Sequence, residues 1–182
     1  MSAIYNPPRL LAAANQLDAF ACPSNEQTRW LNDHARQANA SGGTSRVFVV
    51  TPVGSHDVVD YYGWCMASIS TEQPPLQLRK GAWRYPQTIA LLARLGVDQC
   101  HEGRGLGAAL LLDVISRTAQ IGTEVGCRGL LVHAESQAAR DFYHHHSNPA
   151  AQSLHPHPVR LASVGEPMVA LRRRAVARRC SP

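Results

Sequence analysis

The chain contains a single lysine, Lys80, and few acidic residues, so almost all of its positive charge comes from arginine. Of its 182 residues, 18 are basic and 13 are acidic, which gives a net charge of +5 at pH 7. Arginine suits phosphate because its planar guanidinium forms paired hydrogen bonds. This balance favours a phosphate-bearing partner, such as a nucleic acid, a nucleotide or coenzyme A, although a compositional bias toward arginine and alanine would give the same numbers.

Long apolar runs and closely spaced cysteines are also absent. No segment is apolar enough to span a membrane, and residues 1–11 lack the basic and apolar regions of a secretory signal, so we expect a cytoplasmic protein. The cysteines are odd in number and no two form a C-x-x-C pair, which indicates reduced thiols rather than disulfides or a zinc site. They are Cys22, Cys65, Cys100, Cys127 and Cys180.

Histidines cluster at residues 144–146 and again at His155 and His157. Consecutive residues on a helix point about 100° apart, so three adjacent imidazoles cannot face one ion. No carboxylate or cysteine lies at zinc-site spacing from them. We therefore expect no metal site.

Hydrophobic patterning predicts one mixed α/β domain over residues 1–172, followed by a basic tail over residues 173–182. Ser24 and Gln27 form a capping-box pattern at the start of the first predicted helix. A later strand–helix–strand run predicts one parallel βαβ unit. The predicted helices cover residues 25–39, 106 to about 124 and 137 to about 145, and the predicted strands cover residues 46–50, 58–69, 88–97, 129–134, 159–164 and 167–171.

A loop with three glycines, Gly103, Gly105 and Gly107, joins the apolar strand predicted over residues 88–97 to the second predicted helix. Glycine lets the backbone approach a ligand closely, and the free N–H groups and dipole of a helix N-terminus attract a diphosphate. The alternating glycines fit neither the dinucleotide-binding fingerprint nor the Walker loop. From the loop alone, a structural turn and a phosphate site remain equal alternatives.

The segment Glu102-Gly103-Arg104-Gly105-Leu106-Gly107 resembles the pyrophosphate signature Gln/Arg-x-x-Gly-x-Gly/Ala of the GNAT acyltransferases. Residues 93–98 resemble the family's fourth strand, which pairs with the pantetheine arm. Other segments resemble the acetyltransferase toxins of toxin–antitoxin modules, and together these pieces span most of residues 20–143. They are Phe20-Ala21-Cys22, Trp30-Leu31, Ala38-Asn39, Tyr61-Tyr62-Gly63, Val132-His133-Ala134 and Ala138-Ala139-Arg140-Asp141-Phe142-Tyr143.

The resemblance implies a GNAT fold, with a mostly antiparallel mixed sheet, a parallel βαβ unit and flanking helices. It implies acetyl transfer from acetyl-CoA, as co-substrate, to the α-amino group of aminoacyl-tRNA, which blocks translation. It also implies a homodimer and a cognate ribbon-helix-helix antitoxin. The implied cofactor-binding residues are Leu95, Gly96, Val97, Glu102, Gly103, Arg104, Gly105, Leu106, Gly107, Ala108 and Phe142.

Tyr143 is the general acid that the resemblance implies. A phenol with a pKa of about 10 holds its proton at neutral pH and can give it to a departing thiolate. An α-amino group titrates near about 7.7–8.0, so a strong base is not required. The alternative for Tyr143 is a core role, because Phe142 and Tyr143 also fit the apolar face of a short helix.

Two features keep other functions open. Glu102 stands where the family has glutamine or arginine, and its carboxylate would repel a diphosphate unless Arg104 offsets it. Arg79, Lys80, Arg84 and Arg94 are candidate tRNA contacts, but such charges also occur on solvated surfaces. The alternatives are an acetyltransferase for a small amine or protein N-terminus, and a non-catalytic basic binding domain.

Overall fold

The computed structural model describes residues 4–69, 86–127 and 129–146, and the backbone of residues 160–164. Within these ranges the chain forms a six-stranded sheet with three helices. None of these helices combines the length and apolar character that a membrane span requires. The strands are β1 (Arg9–Leu10), β2 (Arg46–Val50), β3 (Asp60–Ile69), β4 (Gln87–Val97), β5 (Gly129–His133) and β6 (Arg160–Val164), and the helices are α1 (Asn25–Asn39), α2 (Leu106–Val125) and α3 (Gln137–His146).

The sheet changes direction in its middle. Strands β1 to β4 pair antiparallel in sequence order, whereas β4 pairs parallel with β5, and β5 pairs parallel with β6. This confirms the predicted β2–β3 hairpin and the parallel β4–α2–β5 unit. The structure adds the short β1 and a second parallel pairing through β6. The strand predicted over residues 167–171 lies outside the described residues.

Helix α1 has the bounds that its sequence predicts. Ser24 is the N-cap, and its side chain accepts a hydrogen bond from the backbone N–H of Gln27. The reciprocal half of the expected capping box is absent, because the Gln27 amide is used elsewhere. Its Oε1 accepts from the Tyr61 hydroxyl at 3.0 Å, and its Nε2 donates to Glu135. Gln27 therefore connects the first turn of α1 to β3 and to the end of β5.

Adjacent tyrosines on β3 anchor helices on opposite faces of the sheet, because successive strand residues point to opposite sides. Tyr61 packs with Leu31 of α1 and donates to the backbone carbonyl of Gln27 at 2.8 Å. Tyr62 packs with Leu110 of α2 and donates to Asp113 Oδ2 at 2.6 Å. Both tyrosines are fully buried, so the pair holds the two layers in register with the sheet.

The α2 packing can be tested with two leucines on one helix. Leu110 is fully buried, whereas Leu112 is 49% exposed. We expect Leu110→Ala to lower the free energy of unfolding by about 2–5 kcal/mol, since it leaves a cavity. Leu112→Ala should change it by no more than about 0.5 kcal/mol. Urea denaturation followed by circular dichroism measures both, and equal losses would contradict the placement of α2.

Candidate active site

The glycine loop is held in place by Asp98, the residue that follows β4. Asp98 Oδ1 accepts from the backbone N–H of Cys100 at 2.9 Å and caps a 3-10 turn over Gln99–His101. Its Oδ2 accepts from the backbone N–H of Ala21, also at 2.9 Å. One buried carboxylate therefore ties the loop to the segment that precedes α1.

The loop presents an open helix N-terminus. Gly103 and Gly105 have φ angles of 70° and 78°, which L-residues with side chains rarely adopt. A Cβ at either position would meet no atom within 4 Å, so the backbone faces open space. Gly105 is the N-cap of α2 and supplies no side-chain cap, which leaves the first-turn N–H groups of Leu106, Gly107 and Ala108 available to a ligand. This geometry fits a diphosphate.

The two charged residues of the loop are not paired with each other. Arg104 donates to the Tyr5 hydroxyl at 3.0 Å and to the Cys100 carbonyl at 3.3 Å. Glu102 is exposed and lines the cavity beside the loop. Arg104 thus stabilises the loop through its contacts with Tyr5 and Cys100. It forms no ion pair with Glu102, so the expected compensation of the Glu102 charge by Arg104 is not present in this arrangement.

Strand β4 opens away from β5 close to the loop. The parallel pairing joins residues 90–92 of β4 to residues 130–132 of β5 and stops there. On the other edge of β4, Gly63 pairs with Arg94 and Trp64 with Leu92, so Ala93 is bulged between them. Past the bulge, the edge of β4 that faces β5 borders a cavity of about 550 Å³, the first cavity, instead of a paired strand. This opening, or splay, leaves the backbone of β4 past the bulge without a strand partner on the β5 side.

Most of the predicted cofactor-binding residues meet at this first cavity. Its walls include Leu95, Gly96, Val97, Glu102, Gly107 and Phe142. A Cβ on Gly96 would lie 2.9 Å from Cε1 of the buried Tyr61, so only glycine allows β4 to lie this close to the ring. A Cβ on Gly107 would lie 3.5 Å from Phe142. The cavity therefore runs from the glycine loop along β4 to the face of α3.

Tyr143 lies next to the cavity wall rather than in it. Ala139 and Phe142 of α3 line the cavity, whereas Tyr143 packs against the main core. Burial raises the pKa of the Tyr143 phenol well above its usual value, and the nearby Glu135 charge raises it further. Both the acid role and the core role therefore have a structural basis, and the phenol keeps its proton at neutral pH.

A second cavity, of about 510 Å³, lies further back along β4. Trp30, Ala93, Arg94 and His133 are among its lining residues. Among the described residues, Glu135 alone lines both cavities. Glu135 is not among the residues predicted from the sequence, and Gln27 is predicted only as part of a capping box. A signal for Glu135 was present, since a carboxylate follows the carboxyl end of a parallel strand, where ligands commonly bind.

Arg94 is the only predicted tRNA contact within the described residues. Its Nη1 lies 2.7 Å from Glu26 Oε1 and 3.4 Å from Glu135 Oε1, and its guanidinium covers the Trp30 ring at 5.7 Å. Arg79, Lys80, Arg84 and the basic tail lie outside the described residues. No group of three or more metal-ligating side chains occurs in the part of the chain that the structure describes.

Known proteins resemble the chain in sequence and in fold. A tRNA-acetylating toxin of Mycobacterium tuberculosis (strain ATCC 25618 / H37Rv) is 35% identical over 141 residues, which cover 78% of this chain and 82% of the relative. AtaT complexed with acetyl-methionyl-tRNAfMet has a TM-score of 0.68 and 23% identity, covering 78% of this chain and 84% of AtaT. No family model matches the sequence.

A further solved structure is a Tyr-to-Phe mutant of the AtaT toxin bound to acetyl-CoA and to the C-terminus of the antitoxin AtaR. It has a TM-score of 0.64 and 22% identity, and the match covers 78% of this chain and 81% of the AtaT chain. The structural matches agree with the GNAT architecture described above. Given the sequence relative and the extent of its match, the chain belongs to the family of the tRNA-acetylating toxins.

Proposed function

We propose that this protein transfers the acetyl group of acetyl-CoA to the α-amino group of aminoacyl-tRNA and so blocks translation. The observation that carries the proposal is the continuity of the first cavity, which joins the uncapped N-terminus of α2 to the splayed part of β4. That shape suits a long ligand with a diphosphate at one end and a thioester at the other. The identity to a tRNA-acetylating toxin supports the acceptor.

Acetyl-CoA supplies an activated acetyl thioester, and each end of it has a matching part of the site. The N–H groups of Leu106, Gly107 and Ala108 are placed to hold the diphosphate, with the helix dipole adding partial positive charge. Leu95, Gly96 and Val97 offer backbone groups that have no strand partner on the β5 side. Buried backbone groups require partners, so a pantetheine amide would satisfy them.

Transfer requires a stabilised carbonyl oxygen and a proton for the departing thiolate. Backbone N–H groups at the β4 splay can stabilise charge that develops on the carbonyl oxygen. We propose that Tyr143 gives this proton, since its phenol is protonated at neutral pH, as a general acid must be. Burial and the Glu135 charge raise its pKa, which makes the proton harder to give, so the role depends on the position of the hydroxyl beside the thiolate. Phe142, beside Gly107, closes the cavity between the loop and α3.

The same proposal covers the partners. AtaT is recorded with the antitoxin AtaR and with acetyl-methionyl-tRNA. By this relationship we propose a cognate antitoxin of the ribbon-helix-helix type, a homodimeric toxin and action in the cytoplasm on charged tRNA. If the assignment is correct, expression of this chain should arrest growth, and co-expression of its cognate antitoxin should relieve the arrest.

The acid role of Tyr143 is tested by removing one oxygen atom. We expect Tyr143→Phe to keep the fold and to lower the rate of acetyl transfer by about 10²–10⁴-fold, the usual contribution of a positioned acid. Tyr62→Phe is the matched control, because it removes a buried hydroxyl that donates a hydrogen bond to Asp113 of α2. Single-turnover transfer of labelled acetyl to charged tRNA measures both. A Tyr143→Phe enzyme with wild-type turnover would assign the residue to the core.

The glycine loop is tested with two glycines that share one backbone conformation. Gly105 and Gly126 lie at the two ends of α2 with φ of 78° and 70°. Alanine at either site should cost about 1–3 kcal/mol of stability through backbone strain. Only Gly105→Ala should also weaken acetyl-CoA binding in calorimetry, by about tenfold or more. Equal affinities in both variants would remove the diphosphate from the loop.

Salt dependence separates a tRNA acceptor from a small amine. Binding of charged tRNA should weaken by orders of magnitude between about 50 and about 200 mM salt if several arginines contact the phosphates. Transfer to a free amino acid ester should change little over the same range. Transfer to the ester with equal efficiency at every salt concentration, and none to tRNA, would favour the small-amine alternative.

A further inference from the structure

Glu135 lies where the two cavities meet, and three side chains hold it there. Ser24 Oγ donates to its Oε2 at 3.0 Å, and Gln27 Nε2 and Arg94 Nη1 both donate to its Oε1, the latter at 3.4 Å. The charge on Glu135 also raises the pKa of Tyr143. The carboxylate thus borders both cavities and acts electrostatically on the proposed acid.

The charges around Glu135 do not balance. Arg94 is shared between two carboxylates, since its Nη1 lies 2.7 Å from Glu26 and 3.4 Å from Glu135. Among the residues that the structure describes, one guanidinium against two carboxylates leaves one negative charge in excess. Glu26 is 65% exposed and is screened by water, whereas the Glu135 side chain is only 27% exposed. The uncompensated charge therefore acts mainly at the junction.

Glu135 also keeps capacity for one more donor. A carboxylate offers about four lone-pair sites, and three donors occupy three of them. The remaining site is on Oε2, which accepts only from Ser24 among the described residues. A cationic N–H group that reaches the junction of the two cavities would meet a fixed, partly desolvated acceptor, the setting in which charge-assisted hydrogen bonds are strong.

We propose that Glu135 binds the protonated α-amino group of the acceptor and so distinguishes the aminoacyl substrate from its acetylated product. This inference rests on the proposed function, of which it names the acceptor subsite. A primary ammonium group complements the excess charge, whereas the neutral amide that transfer creates does not. The ammonium group gives its proton to water before the neutral amine attacks, and the amide that forms carries no charge for Glu135 to bind, which favours release of the product.

The test compares two ligands that differ only at the nitrogen. Binding of methionyl-tRNA and acetyl-methionyl-tRNA is measured without acetyl-CoA, about one pH unit below the ordinary amine pKa of about 7.7–8.0. We expect the wild type to prefer the free amine and Glu135→Gln to lose about tenfold of that preference, the size of one charge-assisted hydrogen bond. Contacts to the tRNA backbone cancel in the ratio.

Glu124→Gln is the matched control, because it removes the same charge from an exposed position on α2 that lines neither cavity. It should keep the wild-type preference. A Glu135→Gln protein that preserves the preference, an equal loss in Glu124→Gln, or a wild type without preference would each overturn the proposal. If Glu135→Gln fails to fold by circular dichroism, Glu135→Asp serves instead, and it should retain a weakened preference.

The pH dependence gives a second readout. The preference should fade as the pH rises past the amine pKa, because the neutral amine has no charge to recognise. Among the described residues, Arg94, Glu26, Tyr143 and Tyr61 interact with Glu135 or share its arginine, and His133 lines the second cavity with it. Burial raises the pKa of both tyrosines, so neither loses its proton in this range. A preference that stays constant across this range would contradict recognition of the cation.

Failure of the proposed function is seen separately. A wild type that acetylates no charged tRNA refutes that function, and the Glu135 proposal is then tested with methionine methyl ester against its N-acetyl derivative. The same loss of preference in Glu135→Gln is expected with this pair. An ester preference that Glu135→Gln leaves unchanged would overturn the subsite independently of the tRNA question.

Discussion

The early end of pairing between β4 and β5 is the constraint on which the site depends. Three residues of each strand are paired, and the bulge at Ala93 coincides with the point where they part. A strand that loses its neighbour leaves backbone N–H and C=O groups without partners, which is costly unless a ligand supplies them. The sheet therefore offers a ligand the backbone groups of β4 that have no strand partner on the β5 side.

Two sets of contacts keep the opening between β4 and β5 in place. On one face of β4, Gly96 lets the Tyr61 ring lie against the backbone, and Phe20 packs edge-on against that ring. At the end of β4, Asp98 fixes the turn that leads into the glycine loop and joins it to Ala21. These contacts make the loop and the splayed strand parts of one rigid wall, so a ligand that spans both meets a preorganised surface.

Among the described residues, carboxylates outnumber arginines in the walls of the two cavities, although the whole chain is positively charged. The net charge is +5, yet Glu26, Glu102 and Glu135 border the cavities. The net charge of the chain and the carboxylates at the cavities act over different distances. A positive protein attracts a polyanion over about a Debye length, whereas a fixed carboxylate acts only on a group that has already entered. The arrangement suits an acceptor that carries many phosphates and one ammonium group.

The sequence by itself determined the elements and the loop. Helix α1 has the predicted bounds because Ser24 caps it and Leu31 and Ala35 lie at helical spacing, and α2 begins at the glycines whose positive φ angles only such residues adopt readily. These are local effects of capping, periodicity and backbone freedom. The second parallel pairing and the opening of β4 from β5 were decided only by the tertiary structure. So was the junction of Gln27, Arg94 and Glu135, because these residues are distant in the sequence and only the packing of α1 on the sheet brings their side chains together.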